Sequence, residues 1–352
     1  MSIEKIKKYC GKNTAILIYT PINRKYLTNF ASSLGYLLIT ENDATLFVDG
    51  RYYISAVKEC KNVNVKLFSD IKLEINGYLI QNNIKKLLLE SEITVNNLKN
   101  IEKLFSGIDI KVDYDLSDMI KSLRAIKSKE EIDYIVMAQR IAEKAFEELL
   151  NDIKVGASEQ ELTAKLEYYM KLNGSSYPSF DTILISGDKT AMPHGVPSDK
   201  KIADGDFVLV DFGAVMGGYH SDMTRTVAVG YVTDKMQEVY NIVLKAQEEA
   251  IGMVEKNISV SEIDLAARNI IDNAGYGDYF NHSTGHSLGL EIHEEPSVSY
   301  KNDYKLLGGE IITVEPGIYI ENEFGVRIED MVYLSENGAE NLTKCKKSLI
   351  IL

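Results

Sequence analysis

The chain has 352 residues, of which 45% are hydrophobic and 26% charged, a composition typical of a globular protein. Its formal net charge of −13 argues against nucleic acid or an anionic membrane surface as its main partner. The first ten residues are charged where a signal peptide needs an apolar core, and no apolar run approaches the length of a membrane span. The three scattered cysteines form neither a zinc pattern nor a disulfide framework, so we expect a cytoplasmic protein.

Residues 14 to about 120 alternate between strand-like and helix-like runs, which predicts an α/β domain with a mixed sheet covered by helices. The predicted strands are "TAILIYT", "YLLIT", "TLFVDG", "VNVKLF", "KKLLLE" and "IDIKVDY", and the predicted helices are "GRYYISAVKEC" and "VNNLKNIEKLF". Near Ser122 the pattern changes, and "SKEEIDYIVMAQRIAEKAFEELL" opens with a serine and an acidic first turn, which indicates a helix start. We therefore predict an N-terminal domain over residues 1–122 and a second domain over 123–352.

The second domain repeats itself at an offset of about 104 residues. The segment "GDFVLVDFG" aligns with "GGEIITVEPG" from Gly309 onward, which sets Asp211 over Glu315. About the same offset sets "VGASEQEL" at residue 155 over "ISVSEIDL" at residue 258, each after a long helical run. The repeat predicts two copies of a helix–helix–hairpin unit, with a carboxylate at the same position of an apolar strand in both.

The first copy contains a strong hairpin signal. Gly217-Gly218 is a two-residue turn sequence, and pairing around it sets Asp211 opposite Thr224. Asp222 then lies on the same face as Asp211 and diagonal to it, at about 7–8 Å between Cα atoms. Both carboxylates are therefore predicted to reach one site.

The second copy predicts a similar pair. Gly325 suggests a hairpin between two apolar runs. A turn around Asn322 sets Glu315 about opposite Glu329, and Glu329 is predicted to lie within the returning strand. Arg327 is predicted on the same face as Glu329. Four carboxylates thus converge from two hairpins.

Such a cluster is costly unless its charge is compensated. Burying one unpaired ion costs several kcal/mol, and like charges add repulsion. Strongly raised pKa values or bound cations would relieve it. Only Arg225 and Arg327 supply basic charge nearby, and hard oxygen ligands in this number suit a pair of divalent metals.

A nitrogen ligand is expected beside the carboxylates. The stretch "NHSTGHSLGLEIHEEP" places His282, His286 and His293 within twelve residues, three of the five histidines in the chain. His194 lies in the Pro/Gly loop "TAMPHGVPSDK", a setting where functional residues are often presented. His220 neighbours Asp222 in sequence but points to the opposite face of a regular strand, so we interpret it as structural.

Nearly the whole chain resembles the pita-bread metallopeptidases, and within them the branch of Xaa-Pro aminopeptidases and prolidases. The segments "NRKYLTNFASSLGYLLIT" and "LFVDGRYYISA" are similar to that branch's N-terminal domain, and "LRAIKSKEEID" to its linker. The catalytic blocks occur in order: "MPHGVPSD", "VDFGAVMGGYHSDMTRT", "HSTGHSLGLEIHEEP", "TVEPGIY" and "VRIEDM". The implied fold is a creatinase/prolidase-like α/β domain followed by an α+β pita-bread catalytic domain with an internal pseudo-twofold repeat.

The resemblance also implies a complete site. The five ligands of two metal ions would be Asp211, Asp222, His286, Glu315 and Glu329, with Asp222 and Glu329 bridging both ions. The surrounding catalytic residues would be His194, His282, His293 and Arg327. His282 and Arg327 distinguish this branch from methionine aminopeptidases, which generally lack them. One departure is Ser287, where family members often have glycine, and it is expected to tune the site at most.

The implied reaction is hydrolysis of the bond between an N-terminal residue and a following proline. A water shared by the two ions would be the nucleophile, with its pKa lowered towards neutrality. Glu315 would accept its proton and pass it to the proline nitrogen, and His293 would donate a hydrogen bond to the oxyanion. His194 and His282 would position the substrate, and Arg327 would hold Glu329.

Several alternatives stay open. We expect an aminopeptidase, with a dipeptidase (prolidase) as the closest alternative, since the motifs do not separate the two. A metal-independent creatinase-like amidinohydrolase and an inactive binding module share the fold, but the full ligand set disfavours both. Manganese is the favoured metal, with cobalt, zinc or iron able to use the same ligands. A proline-containing di- or oligopeptide is the expected partner, and a homodimer is expected by analogy with the family.

Overall fold

The structure is a computed structural model that describes residues 2–352. It divides into two compact units, one extending to Arg124 and the other comprising Ala125–Leu352. None of the helices in the described part of the chain is long and apolar enough to cross a bilayer.

The first unit is an α/β domain. Its helices are α1 (Ser2–Tyr9), α2 (Pro21–Thr28), α3 (Tyr53–Glu59), α4 (Ile71–Gln81), α5 (Val95–Leu104) and α6 (Tyr114–Ala125). Its strands are β1 (Thr14–Ile18), β2 (Tyr36–Ile39), β3 (Ala44–Val48), β4 (Asn64–Leu67), β5 (Lys86–Glu90) and β6 (Asp109–Asp113). They form one mixed sheet in the order β4-β3-β2-β1-β5-β6, in which β1 pairs antiparallel with β2 and parallel with β5.

Both faces of this sheet are covered, as the apolar strand sequences require. In β1, Ile16 and Ile18 pack into one core and Ala15 and Leu17 into the other. The six predicted strands and both predicted helices are present, and the predicted α/β fold is confirmed. The four helices α1, α2, α4 and α6 were not predicted from the sequence.

The second unit consists of two helix pairs and curved antiparallel sheets. Its α-helices are α7 (Lys129–Leu149), α8 (Glu159–Leu172), α9 (Asp234–Gly252) and α10 (Val260–Asn273), with 3-10 turns at Gly187–Ala191 and Gly277–Tyr279. The strands of its first half are β7 (Ile183–Ser186), β8 (Phe207–Phe212), β9 (Val215–Met216), β10 (Tyr219–His220) and β11 (Met223–Ala228). Those of its second half are β12 (Gly285–Ser287), β13 (Glu294–Val298), β14 (Ile311–Val314), β15 (Gly317–Ile320), β16 (Phe324–Arg327), β17 (Asp330–Ser335) and β18 (Gly338–Asn341).

The sheets of the two halves follow a related order. The first contains β11-β8-β7, and the second contains β13-β12-β14-β17-β18. In each half a two-stranded ribbon, β9–β10 or β15–β16, extends from the long hairpin. One apolar core packs against α7 and α8, and another packs against α9 and α10.

The helix starts correct the predicted register of the repeat. Ser158 caps α8 and Ser259 caps α10, each with its hydroxyl accepting from a backbone N–H of the first turn. These serines lie 101 positions apart, whereas the alignment of residue 155 with residue 258 paired Ser158 with Ser261. The strands keep the offset of 104 between Asp211 and Glu315, so the connections between helix and hairpin differ in length.

The hairpin turns lie where the pairing predicted them, with one correction. Gly217 and Gly218 have φ of 59° and 84°, which the two-residue turn between β9 and β10 requires. In the second ribbon Ile320 pairs with Phe324, so the turn centres on Asn322. Gly325 lies inside β16 and not in the turn. The position requires glycine because a Cβ there would stand 2.1 Å from the Thr190 carbonyl oxygen.

The C-terminal segment is fixed to the first half of the second unit by Arg225. The guanidinium of Arg225, which is 2% exposed, pairs with Asp330 at 2.7 Å. It also donates to the carbonyl oxygens of Glu329 (2.6 Å), Cys345 (2.8 Å) and Lys346 (3.1 Å). Beyond these contacts residues 350–352 continue alongside β11. Arg225 therefore joins β11 to β17 and to the C-terminal segment at residues 345–346.

We expect Arg225→Met to lower the free energy of unfolding by about 3 kcal/mol, because it removes the nearer of two cations from the buried Asp330 and the donor to three carbonyl oxygens. Urea denaturation followed by circular dichroism measures the loss. The matched control is Lys235→Met, which removes the exposed pair with Glu323 and should leave the unfolding midpoint essentially unchanged. Equal effects of the two substitutions would contradict the assignment of Arg225 as a structural centre.

Candidate metal centre

The four predicted carboxylates lie at or next to the points where the ribbons leave their sheets. Asp211 is in β8 opposite Thr224, as predicted. Asp222 directly precedes β11, Glu315 directly follows β14, and Glu329 directly precedes β17. The prediction that Glu329 lies within a strand is wrong, because the ladder is interrupted at residues 328–329. The interruption explains how carboxylates can leave an apolar ladder without displacing core residues.

The structure brings these carboxylates and one histidine into a small volume. One ligand atom each of Asp222, His286 and Glu329 lies within 4.8 Å of the other two. The Nε2 atom of His286 is 3.5 Å from Asp222 Oδ2 and 3.5 Å from Glu315 Oε1. The site therefore presents oxygen atoms from both hairpins and one imidazole nitrogen.

Burial and mutual repulsion govern the electrostatics of the cluster. Burial, followed by the charges of Glu329, Asp211 and Glu315, raises the pKa of Asp222 well above its usual value. The pKa of Glu329 is likewise raised by burial and by neighbouring carboxylates. Burial is the largest cause that raises the pKa of Glu315 to about 8. Without a cation, the folded protein therefore favours protonated carboxyl groups.

The residues fit a metal centre by an independent criterion. Asp222 Oδ1 and Glu329 Oε1 are buried and have no hydrogen-bond partner in residues 2–352. The other oxygen of Glu329 accepts from Thr224 Oγ1 at 2.7 Å, which orients the carboxylate. Burial lowers the pKa of His286 to about 4, so its imidazole is neutral and able to bind a metal. Unpaired oxygens beside a neutral imidazole suit divalent cations.

Arg327 has a different partner from the one expected. Its Nη2 donates to Asp211 Oδ2 at 2.6 Å, and its Nε lies 3.2 Å from Thr224 Oγ1. Within residues 2–352 Arg327 forms no ion pair with Glu329, because the interruption at residues 328–329 removes the strict alternation on which that prediction depended. Its Nη1 donates to the Tyr319 hydroxyl at 2.8 Å. Arg327, in the second hairpin, thus compensates the negative charge of Asp211 in the first hairpin.

The four histidines of the prediction lie in distinct surroundings. The ring of His293 packs edge-on against His286 with centroids 4.5 Å apart. His282 Nε2 is 2.8 Å from the Tyr319 hydroxyl, and burial, followed by the charge of Arg327, lowers the pKa of His282 to about 4. His194 is exposed, and its charge contributes to lowering the pKa of His282. His220 is buried, with Nδ1 2.9 Å from Ser179 Oγ, as its structural interpretation requires.

Three further side chains complete the surroundings and were missed by the sequence interpretation. Tyr319 links His282 to Arg327 through its hydroxyl, and burial raises its pKa to about 12. Thr224 holds Glu329, and Thr313 donates to Glu315 Oε1 at 3.3 Å. Strand alternation offered one signal, since Thr313 and Glu315 share a face of the same segment.

The fold agrees with comparisons to known proteins. Residues 133–336 match metallopeptidase family M24, and residues 3–126 match the creatinase/prolidase N-terminal domain. The chain therefore belongs to metallopeptidase family M24 and combines a creatinase-type N-terminal domain with a pita-bread catalytic domain.

Relatives match along their whole length. An Xaa-Pro dipeptidase of Pyrococcus furiosus is 42% identical over 354 residues, covering 99% of this chain and 99% of that protein. An Xaa-Pro dipeptidase structure from Bacillus anthracis has a TM-score of 0.95 at 38% identity, covering 100% of this chain and 99% of that one. An X-Pro aminopeptidase structure from Thermotoga maritima MSB8 has a TM-score of 0.93 at 36% identity, covering 99% of this chain and 100% of that one.

We expect the metal-free protein to lose stability as the pH rises from 6.5 to 8. The folded pKa of Glu315, about 8, exceeds its usual value of 4.5, so the stability from its protonated form is full below 4.5 and is lost as the pH rises through 8. The lowered pKa values of His282 and His286 act in the opposite direction, but only below about 6.5. The loss from Glu315 over this window is on the order of 2 kcal/mol.

Urea denaturation of chelator-treated protein at several pH values measures this dependence. The variant Glu315→Gln removes the titrating group and should show a flatter profile over the same window. A metal-free protein whose stability rises between pH 6.5 and 8 would contradict the electrostatic description.

Proposed function

We propose that this chain is a metal-dependent Xaa-Pro peptidase that hydrolyses the bond between an N-terminal residue and a following proline. The observation that carries the proposal is the pair of unpartnered, buried oxygens of Asp222 and Glu329 beside a neutral His286. Family membership supports the metallopeptidase chemistry, and the named activities of the relatives support the substrate class.

We propose two divalent ions per chain, with manganese as the favoured metal. Their ligands would be Asp211, Asp222, His286, Glu315 and Glu329. Asp222 and Glu329 are deeply buried, and each has one oxygen without a hydrogen-bond partner in residues 2–352, which supports their assignment as ligands. When bound, the ions supply charge compensation, an activated water and polarisation of the substrate carbonyl.

The remaining steps are assigned to side chains of the chain itself. Glu315 accepts the proton of the attacking water and delivers it to the proline nitrogen. Its Oε1 accepts a hydrogen bond from Thr313 Oγ1 at 3.3 Å, which orients the carboxylate. His293 packs against His286 and donates a hydrogen bond to the oxyanion, and His194 and His282 orient the substrate. Arg327 holds Asp211 in place through an ion pair of 2.6 Å.

The restriction to proline follows from the chemistry of its peptide bond. A tertiary amide has no N–H, and its ring restricts the torsions of the preceding residue. Peptidases that bind an extended, hydrogen-bonded strand therefore handle it poorly, and a dedicated site is required.

Two forms of this activity are candidates. A dipeptidase is favoured by the names of the Pyrococcus furiosus and Bacillus anthracis relatives, and an aminopeptidase by the Thermotoga maritima structure and by the sequence interpretation. A cytoplasmic homodimer that binds neither nucleic acid nor membranes remains the expected state.

We expect manganese-reconstituted protein to cleave Ala-Pro, and a comparison with Ala-Pro-Ala separates a dipeptidase from an aminopeptidase. Asp222→Asn should lower kcat/KM by at least about 10³-fold, because it removes the charge of a proposed metal ligand. The matched control Asp303→Asn changes an exposed aspartate and should retain full activity. Elemental analysis counts the ions bound per chain.

Failure to cleave any member of a panel of Xaa-Pro di- and oligopeptides, with manganese or cobalt present, would overturn the proposal. Absence of bound metal together with creatine hydrolysis would instead support an amidinohydrolase. Failure to bind two ions per chain, without either activity, would support a binding module.

We expect His293→Ala to lower kcat by about 10²–10³-fold, the usual loss for one oxyanion donor. Bound metal should be unchanged, because His293 is not assigned as a ligand. Steady-state kinetics and elemental analysis measure the two quantities. A variant that loses metal in proportion to activity would reassign His293 to the metal centre.

A further inference from the structure

Helix α10 carries an acid–base pair, Asp264 and Arg268, one turn apart and close to the site residues. Asp264 is fully buried, and its carboxylate receives Arg268 Nε at 2.9 Å and Arg268 Nη2 at 3.1 Å. Such a two-point contact is the geometry that suits a guanidinium and a carboxylate. The assigned metal ligands and the residues with proposed catalytic roles include neither residue.

The pair holds the chain segment that presents His282. Arg268 Nη1 donates to the Phe280 carbonyl oxygen at 3.0 Å, and its Nη2 donates to the His282 carbonyl oxygen at 2.9 Å. Its guanidinium also lies over the ring of Phe280, 4.3 Å from the centroid. Asp264 Oδ1 accepts from both the backbone N–H (3.0 Å) and the hydroxyl (2.9 Å) of Thr284. Residues 280–284 are therefore fixed at both ends by two side chains of one helix.

The fixed segment leads directly into the site. The His282 imidazole meets Tyr319, whose hydroxyl accepts from Arg327. The Thr284 carbonyl oxygen accepts from the backbone N–H of Glu315 at 2.7 Å. A shift of this segment would therefore move His282 first and disturb the backbone of Glu315 second.

Helix α8, the counterpart of α10 in the first half of the repeat, contains an ion pair that only links two residues of the helix surface. In α8, Lys165 contacts Glu161 at 3.2 Å with the same four-residue spacing, and both side chains are more than one-third exposed. Its other partner is Asp152, so it contacts no segment that carries a site residue. Arg268, by contrast, directs two of its donor contacts to loop carbonyls.

We propose that Arg268, locked by Asp264, is a positioning residue that sets the backbone of His282 and thereby the binding of the proline peptide. Lysine cannot replace it, because one ammonium lacks the planar fork needed to reach the carboxylate and two carbonyls together. The inference rests on the proposed function for its effect on substrate, while the effect on the segment itself is independent of that function.

A double-mutant cycle tests the proposal in the manganese-loaded full chain with Ala-Pro as substrate. Arg268→Met retains the apolar stem and removes the donors. Its expected effect is an increase in KM of about tenfold, with kcat changed by less than about threefold and metal content unchanged. In the His282→Ala background the same substitution should add less than about twofold, because Arg268 acts through His282. Arg268→Lys should not restore KM, and the control Lys165→Met should leave KM unchanged.

An equal increase in KM in both backgrounds, a loss confined to kcat, or full recovery by Arg268→Lys would each overturn the proposal. Hydrogen exchange followed by mass spectrometry supplies a readout that needs no activity and applies to either Arg268 variant. Exchange should accelerate in peptides covering residues 280–284 and stay unchanged in α8. If the wild-type chain cleaved no Xaa-Pro peptide, the proposed function would fail, whereas unchanged exchange at 280–284 would refute the positioning role alone.

Discussion

Repulsion among four carboxylates is the constraint on which the second unit depends. Asp211 has Arg327 as its counterion, but Asp222 and Glu329 lie buried with one unpartnered oxygen each. The polypeptide alone cannot hold this arrangement ionised, because burial and like charge both favour the protonated forms. Bound cations would therefore be needed to keep the carboxylates of this cluster ionised. Surrounding features, such as the Thr224 contact to Glu329, orient oxygens without neutralising them.

The sequence carries enough information to derive the gathering of these carboxylates. Gly217-Gly218 fixes a two-residue turn, and a turn fixes the register of both strands that it joins. The observed opposition of Asp211 and Thr224 follows from that rule. In the second copy the turn around Asn322, which set Glu315 about opposite Glu329, is also observed, with Ile320 paired to Phe324. Strand existence, pairing and the approximate position of the site are thus local properties of the sequence.

Other parts of the site depend on tertiary geometry that no local rule supplies. Because residues 328–329 lie outside the strands, strict alternation no longer places Glu329 and Arg327 on the same face. Arg327 instead pairs with Asp211. Tyr319 has an ordinary strand environment in sequence, and only the folded arrangement shows its hydroxyl between His282 and Arg327. The repeat was recognised through its strands, but the distance between the capping serines differs because loops accept changes in length more readily than strands accept changes in register.

The contacts of Arg225 have a consequence for the order of events during synthesis. The backbone of Glu329 is supported by a guanidinium whose other acceptors include the carbonyl oxygens of Cys345 and Lys346. While those residues are still inside the ribosome, Arg225 lacks two of its carbonyl acceptors, and the backbone at Glu329 lacks part of its support. The set of contacts that supports the backbone of Glu329 can therefore be completed only after residue 346 has left the ribosome.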